Sequence, residues 1–473
     1  MKQVDFENGN IPMNILQTAF PMFVAQVINL LYSIVDRIYI GRIPGEGTSA
    51  LGGIGLCFPI ITMIAAFTNL YGSGGAPLCA MARGRGDEKR AEFIMNTSFR
   101  LEVLTGLILI VIGQLLAVPI LRAFGASDGS LVYALPYLRI YLCGTVFSMI
   151  ATGMNPFINA QGFSQIGMIS VTIGAVSNII LDPIFIFVFG MGIRGAAIAT
   201  VISQALSAAF VVNFLLDRSR PEGPGRYPGR LPEAILTLHI APNDFLPDPK
   251  TSLDIAGLGA SAFVMQFTNS LVTIVCNNVL MSTGGEIYVS VMTILSSLRQ
   301  VLEVPALALV EGASPVMSYN YGARHPDRVR RSILIMTLAE GIYTLMGWLL
   351  VEHFPSMFLG VFTGDAELIT RALPALHLYF RAFVFMSLQH CGQSTFKALG
   401  KKKRTIFFSL FRKVIIVVPL TIMLPHMFGL GVYGVFIAEP ISNVIGGSAS
   451  FVTMLLTILP ELKGMECADD ARE

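Results

Sequence analysis

Charge, cysteine, histidine and tryptophan are all scarce in this chain. Its 473 residues include six cysteines, six histidines and one tryptophan, and only 13% are Asp, Glu, Lys or Arg. A soluble domain carries about 25% charged residues, so a water-facing globular surface is excluded over most of the length. Five of the cysteines (Cys57, Cys79, Cys143, Cys276, Cys391) fall in apolar runs and Cys467 lies near the C-terminus. None forms a CxxC or a metal-ligand spacing, so neither disulfides nor a zinc site is expected. The glycine clusters Gly72-Ser-Gly-Gly75 and Gly52-Gly53 have no phosphate-loop context and no Walker A sequence occurs, so ATP drive within the chain is not expected. A net charge of +2 gives no sign of a nucleic-acid partner. No short apolar segment with a cleavage site is visible, and the first apolar helix is expected to serve as the membrane-targeting signal.

What is abundant is long apolar sequence. Hydrophobic residues make up 53% and come as runs of roughly twenty, such as 101–120, 166–189 and 332–351. At about 1.5 Å per residue such a run spans a hydrocarbon core of about 30 Å. Only helices or closed barrels cross a bilayer, and a barrel shows short alternating strands instead. The expectation is an all-α membrane protein with twelve transmembrane helices, at 14–36, 50–76, 96–120, 132–158, 166–189, 193–216, 254–282, 287–313, 332–353, 368–394, 405–427 and 432–459. Lys and Arg crowd into every second loop: 81–95, 217–252, 323–331 and 397–404. The positive-inside rule makes these loops cytoplasmic, and both termini with them. Arg412 and Lys413 are expected to snorkel to that same side along their stems.

The two halves repeat. Gly74, Pro77, Phe124, Ala134-Leu-Pro136 and Tyr141 recur 238 positions later as Gly312, Pro315, Phe362, Ala372-Leu-Pro374 and Tyr379. Gly192-x-x-Gly195 returns at an offset of 239 as Gly431-x-x-Gly434, and Gln26-x-x-Asn29 at 240 as Gln266-x-x-Asn269. Units with an even number of spans face the same way, which is the parallel-repeat design of transporters, with a cavity between two pseudo-symmetric six-helix bundles. The expected domains are an N-terminal lobe (1–216) with the cation site, a Pro/Gly-rich cytoplasmic linker (217–252), a C-terminal lobe (253–460) and a cytoplasmic tail (461–473).

Carboxylates inside membrane helices are costly and therefore candidates for function. Asn178 and Asp182 share one helix face, and Pro183 removes the donor that would otherwise satisfy the carbonyl of Ile179. Thr200 on the next span and Asp36 on the first reach a similar depth. An all-oxygen set suits Na⁺ or a proton-binding carboxylate, not a soft transition metal. The bland alternatives are a helix cap for Asp182 and an ion pair with Arg37 for Asp36. The repeat partners of Asp36 and Asp182 are Cys276 and Leu420, so cation coupling is expected in the first lobe; Glu439, aligned with Thr200, leaves a minor second site open. Gln26, Asn29, Arg139, Gln266, Asn269, Arg299, Glu303 and Arg381 are the polar span residues available to line the cavity or touch substrate. Arg299 and Glu303 are spaced for an i,i+4 ion pair, and Glu311 reads as a solvated charge near a span end. The 22 methionines suit either an adaptable pocket or ordinary core filling.

The chain resembles the multidrug and toxic compound extrusion (MATE) family over essentially its whole length. The resemblance lies in Pro21 with Asn29-Leu-Leu-Tyr-Ser-Ile-Val-Asp36-Arg-Ile-Tyr-Ile-Gly41, in Gly84-x-Gly86-Asp87, Asn159-Ala-Gln-Gly162 and Asn178-x-x-x-Asp182-Pro183, and most distinctively in the segment from Glu311 to Gly322. It implies twelve helices in two bundles and efflux of drugs or metabolites in exchange for Na⁺ or H⁺, with no other cofactor. It also implies cation coupling at Asp36, Asn178, Asp182 and Thr200. Spans seven and ten lack the embedded acids that one branch of the family uses. A monomer in the cell (inner) membrane handling small molecules is expected. The alternative is a flippase for lipid-linked oligosaccharide or cell-wall precursors, which would want a cationic cavity for pyrophosphate. An intramembrane prenyltransferase would need aspartate clusters that the spans lack.

Overall fold

The computed structural model describes residues 3–44, 47–124, 126–216, 236–238, 247–362, 366–427 and 429–470. Most of the expected linker, 217–235 and 239–246, lies outside them, as does the end of the expected tail. Among the described residues ten helices are long and apolar enough to cross a membrane, or up to twelve when each of two bent pairs is one span. In the first half these are α1 (Ile11–Gly41), α2 (Gly47–Gly84), α3 (Glu88–Ala123), the bent run α4 (Asp128–Cys143), α5 (Thr145–Gly153) and α6 (Asn155–Ala160), then α7 (Ser164–Pro183) and α8 (Ile193–Leu215). In the second half they are α9 (Pro249–Gly284), α10 (Glu286–Gly322), α11 (Pro326–His353), a short α12 (Pro355–Phe362) and the bent pair α13 (Ala366–Phe380) and α14 (Phe385–Ala398). The last two spans comprise α15 (Lys402–Leu410), α16 (Val418–Met423), α17 (Tyr433–Ser442) and α18 (Ser448–Asp470). Two spans that were read as continuous are bent, by 57° after Cys143 and by 48° after Phe380. The bends fall at repeat-equivalent positions, a feature that hydropathy cannot register.

The chain divides into two compact units, Met1–Asp5 with Pro21–Gly259, and Phe6–Phe20 with Ala260–Glu473. The exchange at the start of α1 and α9 follows from a repeated glycine. Gly74 on α2 leaves room for the backbone of α9 at Gly259, whose N lies 2.7 Å from where a Cβ would stand. Its repeat partner Gly312 on α10 does the same for α1, with Ala19 Cα at 2.6 Å. Small residues let membrane helices approach this closely. The start of the chain is tied into the second unit by Asn320 Nδ2 donating to the Phe6 carbonyl (3.0 Å) and Arg328 donating to that of Gly9 (2.7 Å).

In the first unit the apolar core gathers Met95, Phe157, Ile158, Ile166 and Val211. The short segment 236–238 docks there too, with Leu236 and Leu238 buried and Thr237 N donating to Glu92 Oε1 at 2.7 Å. In the second unit the core is built from Leu280, Leu295, Leu376, Phe380 and Phe436.

The repeated Gly-x-x-Gly shapes the last two spans of each unit. Gly192 (φ +54°) and Gly431 (φ +52°) adopt a left-handed backbone that only glycine takes up readily. Three residues on, Gly195 would place a Cβ 2.7 Å from the Phe185 carbonyl, and Gly434 one 2.5 Å from Pro425 N. Each second glycine therefore presses one span onto the end of the preceding one. Gly195→Leu is expected to destabilise the protein by about 1–3 kcal/mol, the usual cost of overpacking, read as a lower melting temperature in detergent. Gly341→Ala, where the added methyl meets open space, is the control expected to melt with the wild type.

Candidate functional site

In the first unit α7 closes on Pro183 and continues as a π-helical segment, Ile184–Val188. Proline cannot donate to the carbonyl one turn back, and the wider π turn follows from that break. The fully buried Asp182, directly before Pro183, and the buried Asn178, one turn earlier, face the same way. Asn178 Nδ2 donates to Asp182 Oδ1 at 3.3 Å and to Thr200 Oγ1 on α8 at 3.4 Å. The Thr200 hydroxyl donates in turn to the carbonyl of Ala196 at 3.0 Å.

Asp36 on α1 completes the cluster, its carboxyl within hydrogen-bond reach of that of Asp182. The Arg37 guanidinium lies over the Phe58 ring, 4.6 Å from its centroid, so Asp36 does not monopolise it. The four residues singled out as the cation set are therefore brought together. Three buried oxygens remain without a hydrogen-bond partner: Asp36 Oδ1, Asn178 Oδ1 and Asp182 Oδ2. Two carboxyls that face each other in a low dielectric are stable only with a shared proton or a cation between them. The donor set fits either one. Among the described residues no group of three or more His, Cys, Asp or Glu is arranged to hold a metal ion, consistent with a set that relies on amide and hydroxyl oxygens.

Three tyrosines border the cluster that sequence reasoning did not assign to it: Tyr32, one turn before Asp36, and Tyr137 and Tyr141 on α4. The repeat carried a signal for one of them, since Tyr141 recurs as Tyr379. A cavity of about 480 Å³ opens at the same end of α7, lined by Ile43, Tyr133, Ile186, Met191 and Arg194 among others.

The second unit holds a different cluster in the corresponding place. Arg299 NH1 and Arg412 NH1 both donate to Glu439 Oε1, Arg412 at 3.0 Å, and the Lys413 ammonium lies 3.4 Å from the same oxygen. Arg299 Nε reaches Glu303 Oε1 at 2.5 Å, the expected i,i+4 pair. Two expectations are corrected. Arg412 and Lys413 do not snorkel away, because Glu439 draws both into the unit's interior, where they are buried. Nor does Glu439 leave room for a second cation, since three basic side chains already compensate it. At the positions matching Asp36 and Asp182, Cys276 Sγ faces Thr421 Oγ1 at 3.9 Å, with Thr421 rather than its neighbour Leu420 turned inward.

Of the other candidates, Gln26 and Gln266 are half-buried, whereas Asn29, Asn269, Arg139 and Arg381 are exposed, Arg381 at the bend between α13 and α14. Glu311 is exposed as expected. Sequence reasoning missed two fully buried acids, Glu102 on α3 and Glu340 on α11. They are 238 positions apart, the spacing of the repeat. Glu340 accepts from His390 Nδ1 at 2.8 Å and from Cys391 Sγ at 3.0 Å. Glu102 packs against Gly153, the repeat partner of Cys391, with both carboxyl oxygens unpartnered.

Two repeated lobes of membrane-length helices, each burying ionisable groups at mid-span, define a polytopic membrane transporter rather than an enzyme. The model of the MatE family matches residues 21–184 and again 261–423, once in each half, and the chain belongs to this family. It is 23% identical over 440 residues to the multidrug export protein MepA of Staphylococcus saprophyticus, and 22% identical over 436 residues to MepA of Staphylococcus aureus; each match covers 92% of both chains. Among solved structures, a MATE protein in complex with MaD3S superposes with a TM-score of 0.88 at 22% identity, over 98% of this chain and 99% of the other. An outward-facing multidrug resistance MATE transporter gives 0.87 at 23%, with the same coverage.

If Asp182 serves ion binding rather than folding, its replacement relieves repulsion from Asp36 without removing a structural bond of comparable worth. Asp182→Asn is therefore expected to melt at or above the wild-type temperature in Na⁺-free detergent at neutral pH. A drop of several degrees assigns Asp182 to the fold instead.

Proposed function

We propose that the protein is a cation-coupled antiporter that exports small amphipathic or cationic compounds by alternating access, driven by Na⁺ or H⁺. The observation that carries this reading is the trio of unpartnered buried oxygens on Asp36, Asn178 and Asp182. Such a site is incomplete until a proton or small cation enters it, so its occupancy biases the conformation that binds it better. A solute favouring the other conformation is then exchanged against the ion. The names of the relatives, multidrug export proteins, support the choice of drug-like solutes.

The crowding of Lys and Arg into alternate loops supports a cell-membrane orientation with both termini cytoplasmic. Coupling is assigned to Asp36, Asn178, Asp182 and Thr200, with no ATP and no resident cofactor, in a monomer. The flippase alternative is not favoured: the relatives are named multidrug export proteins, and Arg299 is paired with both Glu303 and Glu439.

Efflux of a cationic dye from cells expressing the wild type, under an imposed Na⁺ or proton gradient, tests the proposal. The wild type is expected to respond to one of the two gradients. Asp36→Asn and Asp182→Asn are expected to lose that gradient-driven component while reaching the membrane at wild-type levels. Undiminished gradient-driven efflux by Asp182→Asn overturns the assignment.

A further inference from the structure

The basic and acidic groups of the second unit's cluster do not balance. Arg299, Arg412 and Lys413 converge on Glu439, and among the described residues the only other carboxylate in direct contact is Glu303, on Arg299. The remaining facing groups bring no compensating charge. They are the Tyr379 hydroxyl, 3.4 Å from Arg299 NH1, the Met386 sulfur at 3.5 Å, and Asn443 Oδ1, 2.5 Å from Arg412 NH1. Cys276 faces Glu439 and Lys413 from α9. His390, which faces Glu303 from α14, is already hydrogen-bonded to Glu340.

Donors also outnumber acceptors. Arg412 Nε is buried with no partner. Among the described residues, the Lys413 ammonium has Glu439 Oε1, at 3.4 Å, as its single hydrogen-bond partner for three protons. Consecutive α-helical residues point about 100° apart, yet these two side chains meet the same carboxylate. They do so from a π-helical segment, Phe411–Val417, facing a second one, Asn443–Gly447. Such widened turns are frequent at functional sites.

A buried excess cation is relieved either by losing a proton or by gaining a counter-ion. Arginine does not lose its proton, so the choice is between a neutral Lys413 and an anion. The unpartnered Arg412 Nε beside the under-bonded Lys413 ammonium favours the anion, because deprotonating the lysine leaves the arginine donor unsatisfied. We propose that this cluster is a binding site for one monovalent anion, a carboxylate or a halide, held by Arg412 and Lys413. The inference does not depend on the antiport reading, since its readout is binding rather than transport.

The test is equilibrium binding of radiolabelled chloride and of radiolabelled acetate to the purified full-length protein in detergent, at neutral pH and fixed Na⁺. The wild type is expected to bind one anion per chain saturably, with binding weakened by about tenfold or more in Arg412→Gln and lost in Lys413→Gln. Because removing a buried lysine risks misfolding, Cys276→Asp is the second variant: it supplies the missing negative charge from α9 and is expected to abolish binding in a monodisperse protein. Chloride binding that acetate displaces identifies a site for small anions in general; acetate binding without chloride binding identifies the carboxylate of an organic solute. No saturable binding of either by the wild type, or undiminished binding in Cys276→Asp, overturns the proposal.

Discussion

Everything polar in this protein answers to one constraint: a charge placed in hydrocarbon must be compensated by groups on neighbouring helices. With 13% charged residues in 473, few ionisable groups lie in spans, and each unit gathers several of its buried ones into a cluster. The first unit meets the constraint incompletely. Asp36 and Asp182 bring two carboxyls together with one amide and one hydroxyl, and leave three oxygens unpartnered. The second unit meets it with a surplus of cation around Glu439. A fully compensated cluster is a structural feature. One that lacks a partner is where the two proposed ions would sit.

The repeat explains how two such different clusters share one backbone plan. Gly74 and Gly312 hold the reciprocal exchange at the start of α1 and α9, and the Gly-x-x-Gly pairs press the last span of each unit onto a broken neighbour. Gly74, Gly312, Gly195 and Gly434 are fixed by close contacts that a side chain would break, and Gly192 and Gly431 by a left-handed backbone, so each recurs in both halves. The clusters are fixed only by charge compensation, which many side-chain sets satisfy. Asp36 and Asp182 thus give way to Cys276 and Thr421, while the tyrosine pair Tyr141 and Tyr379 borders the charged groups in each unit.

The spans and their repetition were legible in the sequence because hydropathy and glycine spacing are local patterns. The grouping of Asn178, Asp182 and Thr200 was legible too, since Asn178 and Asp182 lie one helical turn apart and Pro183 marks the break. The bends after Cys143 and Phe380 were not, because both lie inside apolar runs that hydropathy reads as continuous and only the first falls on a glycine, Gly144. Arg412 and Lys413 were misplaced for a physical reason. Near a span end, a long basic side chain has two ways out of hydrocarbon, and only tertiary structure decides between water and a buried carboxylate. Here Glu439, 26 residues beyond Lys413, decides it.

Glu102 and Glu340 show what an internal repeat reveals that a single span does not. Each is a lone acid within a long apolar run, easily passed over, yet each falls at the other's position at the same offset as Gly74 and Gly312. Chance seldom places two costly buried carboxyls on equivalent helices. In the second unit His390 and Cys391 donate to Glu340, whereas in the first Gly153 stands where Cys391 does and Glu102 has no donor at all. A buried carboxyl without a donor is costly to carry in a low dielectric. The two lobes thus place an acid at the same point of the repeat and differ in the donors that surround it.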